Sequence, residues 1–297
     1  MKLMILVQRS WSSVISANRL AGHGRRRFGS PLAVLGLSLV ASMAVFAADP
    51  LPSWNEGPAK QSIVEFVKAT TQEGGAQFVS PTERIATFDQ DGTLWVEQPL
   101  YSQLFYCLSR VPAAVQARPE LAHVEPFKTV LAGDRAAMAK LTLDDFLKIA
   151  MVTLSGMPTD EFKQQVHEWL AKARDPRWKR PFTELTYQPM KEVMQYLRDN
   201  DKTYIVSGGG QDFVRVYAED VYGVPPEQVV GSAGATEYGY DKSGKPELTK
   251  LPKMLLNDND AGKPENIYLL VGRQPYAAFG NSTGDKQMLE YTNSGRS

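Results

Sequence analysis

Arg84-Ile85-Ala86-Thr87-Phe88-Asp89-Gln90-Asp91-Gly92-Thr93 is the stretch that decides the fold. Its first half is a short apolar run rich in strand formers, and it breaks off into Asp-Gln-Asp-Gly, a turn composition. Two carboxylates therefore sit at the C-terminal end of a strand. Strand signals return at Thr203-Tyr204-Ile205-Val206, Gln228-Val229-Val230 and Pro275-Tyr276-Ala277-Ala278-Phe279. Helical stretches, 190–198 and 212–221 among them, lie between. Strands alternating with helices predict an α/β domain on a parallel sheet.

From about Val96 to Ala173 the apolar spacing is helical: Leu100, Leu104 and Leu108, then Phe146, Ile149 and Ala150, with breaks at Pro112, Pro119, Pro126 and Pro158. The expected organisation is a sheet domain formed by 48–95 and 203–297, with a mainly helical cap inserted over 96–202 after the first strand. The end of that insertion rejoins the sheet domain from about 187. A helix over 59–71, with Ile63, Val64, Phe66 and Val67 at helical spacing, precedes the first strand. Residues 235–251 read as an added hairpin turned at Asp241-Lys242-Ser243-Gly244.

The formal charge of zero hides an asymmetry. Residues 1–47 carry six basic residues and no acidic one, which leaves 27 basic against 33 acidic residues in the remainder. An acidic body has no footprint for a nucleic-acid backbone, so nucleic acid is excluded as an obligate partner. Arg25-Arg26-Arg27, an apolar stretch to Ala47 and the small-residue end Val45-Phe46-Ala47 follow the order of a secretory signal peptide. The stretch Leu32–Ala47 falls short of the roughly twenty residues that span a bilayer. The mature protein is expected in the periplasm or outside the cell, meeting the membrane only in transit. Arg25-Arg26-Arg27-Phe28 also resembles a twin-arginine signal.

Cys107 is the only cysteine. No internal disulfide or thiolate zinc site can form, and Leu104-Phe105-Tyr106-Cys107-Leu108 reads as packing. His123 and His167 stand alone after the leader, which gives no support to a histidine phosphatase or a Ser-His-Asp hydrolase. No feature sets an oligomeric state.

An open parallel sheet places its ligand site at the strand C-terminal ends. Four polar clusters qualify: Asp89-Gln90-Asp91-Gly92-Thr93, Ser207-Gly208-Gly209-Gly210, Gly262-Lys263-Pro264 and Gly280-Asn281-Ser282-Thr283-Gly284-Asp285. In this order and context they resemble the four signature motifs of the haloacid dehalogenase superfamily, over roughly 84–290. The resemblance implies a Rossmann-like core and a hydrolase. The helical insertion resembles the cap of the phosphoserine-phosphatase-like branch, and such a lid would exclude water and select substrate.

What the resemblance implies for the residues agrees with elementary chemistry. Asp89 would attack phosphorus and form an aspartyl-phosphate. Asp91 would protonate the leaving oxygen and later take a proton from water. Ser207 and the amides of Gly208 and Gly209, expected to open a helix, would cradle phosphate. Lys263 matches the family's lysine by position, with Lys250 and Lys253 as weaker rivals. Trp95 and Glu97 are expected to line the opening, Trp95 as a substrate contact. Mg2+ would be held by Asp89, the carbonyl of Asp91, Asn281 and Asp285. Asn281 stands where the common pattern has aspartate, and a similar subgroup reads Gly-Asn-Ser-Asp-Gly-Asp, so Thr283 removes another carboxylate. Both changes should weaken metal binding. The expected activity is Mg2+-dependent hydrolysis of small-molecule phosphate monoesters. The alternatives are a related hydrolase cleaving a phosphonate or carbon–halogen bond, and a non-catalytic phosphate-binding protein.

Overall fold

The computed structural model describes residues 48–294, so the leader expected over 1–47 lies outside the described residues. Helix α1 (Pro58–Thr71) starts on a proline, whose missing N–H costs nothing at a first helical turn. Strand β1 (Ile85–Phe88) is buried at all four positions, as befits a central parallel strand covered on both faces.

The chain then runs through α2 (Ser102–Ala117), α3 (Phe127–Ala132), α4 (Arg135–Met138), α5 (Leu143–Thr153) and α6 (Thr159–Lys172). Asp134 caps α4 through its side chain, and Thr142 with Asp145 forms a capping box at α5. Helix α7 (Gln188–Arg198) buries Met190, Val193, Met194 and Leu197, three or four apart, and leads into β2 (Lys202–Gly210). After α8 (Gln211–Arg215) and α9 (Ala218–Tyr222) come β3 (Val229–Tyr240), β4 (Pro246–Leu256), α10 (Gly262–Asn266), β5 (Ala277–Phe279) and α11 (Lys286–Ser294).

The sheet order is β4-β3-β2-β1-β5. β1 pairs in parallel with β2 and β5, and β2 with β3, whereas β3 and β4 are antiparallel. The expected α/β class with a Rossmann-like parallel sheet is thus observed. Successive strands step from β1 to β2 and β3 on one side, and β5 lies on the other. That reversal is where open α/β sheets place their ligands.

β3 serves two partners. Val229–Ser232 pairs with β2, and Ala233–Tyr240 continues beyond the sheet as one arm of the hairpin with β4. The hairpin is tied to the inserted helices by backbone bonds from Gly156 to the Lys250 carbonyl (2.8 Å) and from Lys250 to the Met157 carbonyl (2.9 Å). The two linkers of the insertion also pair, Val96 donating to Leu185 and Tyr187 to Leu94. Tyr106 of α2, Phe162 and Trp169 of α6 and Phe213 of α8 form one aromatic cluster. Insertion and sheet domain therefore share a core, and the chain from Pro50 onward is one unit. Among the described residues no helix is long and apolar enough to cross a membrane.

Candidate active site

Asp89 leaves β1 with its amide bonded to the Phe279 carbonyl of β5 (2.9 Å), which fixes the start of the turn. Gly92 completes that turn at φ 85°, a left-handed conformation that suits glycine. Space demands it as well, because a Cβ there would stand 2.1 Å from Asn281 Nδ2 and 2.7 Å from the Glu97 carboxyl carbon.

Lys263 joins three of the four clusters. It is 1% exposed, and its ammonium donates to Asp89 Oδ1 (2.6 Å), Asp285 Oδ1 (2.6 Å) and the Val206 carbonyl (2.8 Å). Burial opposes the lysine charge, but Asp89 and Asp285 together outweigh it and hold the ammonium above the ordinary lysine range. The rivals lie elsewhere: Lys250 pairs with Asp212, and Lys253 is exposed on β4.

Asp89 is buried, and burial raises its carboxyl to about 6 against the opposing pull of Lys263. Asp91 is raised to about 7, chiefly by burial and further by Asp89 and Glu97, while a bond from Trp95 acts the other way. Burial thus lifts both carboxyls towards neutrality, the range in which a carboxyl can exchange a proton during turnover.

Two expectations need correction. Trp95 does not line the cavity: it is 1% exposed, stacks on Tyr217 at 4.6 Å and spends its indole N–H on Asp91 Oδ1 (2.7 Å). An indole buried in this way needs a hydrogen-bond acceptor, and Asp91 supplies it. Ser207, Gly208 and Gly209 do line the cavity, but as the bulged end of β2, and helix α8 begins only at Gln211. There the Gly209 amide bonds Ser207 Oγ (3.0 Å) and the Gly210 amide bonds Gln103 Oε1 (2.7 Å). Asp285 has its oxygens committed to Lys263, to the amides of Asn281 and Ser282 and to the Ser282 hydroxyl. It organises the loop after β5 and holds the lysine, and its Oδ1 accepts from Lys263 alone.

The metal can be tested against one contact. The Thr93 hydroxyl lies 3.2 Å from both Asp89 Oδ2 and Asn281 Oδ1. Both oxygens therefore converge on one hydroxyl. With the Asp91 carbonyl they offer oxygen only, hard ligands of the kind Mg2+ accepts alongside several waters. The residues fit Mg2+, with one formal charge fewer than an aspartate at position 281 would give.

Glu97 does line the cavity, and its Oε1 accepts from Asn281 Nδ2 (3.2 Å). Gln103 and Asp258 were missed. Gln103 lies in an apolar helix start, where a lone glutamine carries no signal. Asp258 hides in the turn-like Asn257-Asp258-Asn259-Asp260, yet it is wholly buried, accepts from Asn266 (3.0 Å) and is raised to about 7 by burial.

The haloacid dehalogenase-like hydrolase family profile matches residues 86–290, which include all four clusters, and the chain belongs to that family. No curated protein matches it. Solved structures similar to it include a protein of unknown function from Bordetella pertussis Tohama I, at 15% identity and TM-score 0.42, covering 64% of this chain and 74% of that one. Another is a phosphoserine phosphohydrolase-like protein from Francisella tularensis, at 21% identity and TM-score 0.28, covering 55% and 62%. A phosphoserine phosphatase captured as a phospho-aspartyl intermediate analogue matches at 14% identity and TM-score 0.33, covering 71% and 84%.

Proposed function

We propose that this hydrolase is a magnesium-dependent phosphatase of small-molecule phosphate monoesters that works through an aspartyl-phosphate on Asp89. The observation that supports it most is Asp89 held by Lys263, with a second carboxylate two residues on. Trp95 fixes Asp91 Oδ1 and leaves Oδ2 turned towards Gly209, 3.8 Å from where a Cβ on that glycine would stand.

In the first step the Asp89 carboxylate attacks phosphorus, the ester P–O bond breaks and the departing alcohol oxygen takes the proton of Asp91. In the second, Asp91 takes a proton from water as the water oxygen attacks the same phosphorus and the bond between phosphorus and the Asp89 oxygen breaks. Inorganic phosphate leaves, and both carboxyls return to their starting states. Lys263 keeps fixed positive charge beside the reacting carboxylate, and Ser207 with the neighbouring strand end positions the phosphoryl oxygens. Mg2+ held by Asp89, the Asp91 carbonyl and Asn281 would add charge stabilisation for the phosphoryl oxygens. A halide leaving group would need no proton, so a positioned Asp91 favours phosphate ester over carbon–halogen cleavage.

The proposal includes export, supported by the basic, apolar and small-residue order of residues 1–47. The test is hydrolysis of nitrophenyl phosphate by the purified protein. Turnover should require Mg2+, stop with EDTA and vanish in Asp89→Asn with the fold intact. Turnover that persists in Asp89→Asn would overturn the covalent mechanism.

A further inference from the structure

The cavity over Asp89 measures about 660 Å3. That lies well inside the range of ligand pockets, roughly 300–1,000 Å3, and far exceeds the needs of a phosphoryl group. Asp89, Asp91, Ser207 and Lys263 line its reactive end. Since attack comes from Asp89 and the leaving oxygen must reach Asp91, the alcohol part of any substrate has to occupy the rest.

That remainder is largely hydrocarbon. Helix α5 turns Leu143, Phe146, Leu147, Ala150 and Met151 into the cavity, and its C-cap residue Leu154 continues the row. These positions recur three or four apart and form one stripe of the helix. Ile149 and Thr153, on the flank of that stripe, are buried. The apolar surface of the helix therefore serves the core and the cavity together. Leu251 and Met254 of β4 also contribute to the lining. Leu143, Leu147 and Met254 remain 75%, 44% and 46% exposed, so the apolar lining runs out to solvent.

Charge points the same way. The cations lining the cavity are Lys263, committed to Asp89 and Asp285, and Lys250, paired with Asp212 and lying 4.6 Å from the centre of the Phe162 ring. Asp91, Glu97 and Asp212 add carboxylates. A second phosphate or a carboxylate on the alcohol would meet like charge and no spare cation.

We infer that the substrates are phosphate monoesters of apolar alcohols, with the hydrocarbon lying along α5 and β4 while the phosphate stands over Asp89. This rests on the phosphatase reading and narrows it. Polar esters such as glycerol phosphate would leave the α5 stripe uncovered and gain little from the pocket.

The test is kcat/KM of the purified protein with Mg2+ on linear alkyl phosphates from ethyl to dodecyl, each below its micelle concentration, beside glycerol phosphate and phosphoserine. The ratio should climb by about threefold to fourfold per methylene until the pocket is filled. Glycerol phosphate and phosphoserine should stay near ethyl phosphate. A flat series, or a preference for the polar esters, overturns the inference. Ala150→Glu and Leu147→Asp should each flatten the dodecyl-to-ethyl ratio, and the second lies at an exposed position where folding is not at stake. Retention of the wild-type ratio in both variants also overturns it. If no ester is turned over, the phosphatase reading itself fails. Calorimetric binding of alkyl phosphonates to the same protein then decides the pocket: affinity rising with chain length upholds the apolar site, and affinity independent of it refutes it.

Discussion

Trp95 and Asp91 are joined by an indole hydrogen bond of 2.7 Å, made from a ring stacked on Tyr217 and closed to solvent. The tryptophan thereby fixes one oxygen of Asp91, the proposed acid/base, and leaves the other open to exchange a proton. It acts on the reaction through Asp91 and touches no substrate.

Trp95→Phe should keep a ring against Tyr217 and lose the bond. The expected loss is about tenfold to a hundredfold in kcat, part of the contribution that a positioned acid makes. The bond lowers the Asp91 pKa, so its removal raises that pKa further. The alkaline limb of the kcat profile, where Asp91 loses its proton, should move to higher pH. A variant that merely unfolded would not move that limb.

Lys263→Met should leave Asp89 and Asp285 buried without their cation. Removing one partner of a buried pair costs about 3–5 kcal/mol, to be read by denaturant unfolding. The deficit should shrink as the pH falls, because protonation relieves Asp89, which burial already raises and which has lost the lysine that opposed it.

Asp258 predicts a pH dependence of stability. Burial raises its folded pKa to about 7, above the unfolded value near 3.8. The folded state therefore holds the proton more tightly. The contribution is complete below about pH 4 and is lost as pH rises to about 7, on the scale of about 1.4 kcal/mol per unit of pKa difference. Asp258→Asn keeps an acceptor for Asn266 and has no proton to lose, so its stability relative to wild type should increase between pH 4 and 7, as read by thermal unfolding. Equal slopes for the two proteins would refute this.

Asn281→Asp should strengthen Mg2+ binding by restoring a formal charge. Without metal, the new carboxylate would face Glu97 where an amide N–H now donates. The variant should therefore be less stable than wild type in EDTA and show the larger rise in melting temperature on adding Mg2+. The thermal shift is independent of turnover.

Much of this site was legible in the chain because its signals are local. An apolar strand ending in Asp-x-Asp, a serine-glycine strand end and a lysine beside a proline each carry their meaning within a few residues, and Lys263 does meet Asp89. What was not legible depends on distant contacts. Trp95 faces inward because Tyr217, over a hundred positions later, offers a ring to stack on. The bonds that set the place of Asp285, to Lys263 and to the amides of its own loop, join residues that no local pattern links. Ser207 to Gly209 end a strand and do not open helix α8, because β2 runs on through its glycines and bulges there. The β3–β4 hairpin was visible in its turn, but its attachment to the inserted helices at Gly156 and Met157 has no sequence mark.

If Asp89 is the proposed nucleophile, it carries the phosphoryl group during turnover. Mass spectrometry of the Asp91→Asn variant, quenched in acid while it turns over nitrophenyl phosphate, reads this out. Nitrophenolate leaves without much need of an acid, while the second step is starved of its base, so the intermediate should accumulate. A single phosphoryl group is expected on the peptide containing Asp89. A phosphoryl group on any other residue, or turnover with no phosphorylated peptide at all, would contradict it.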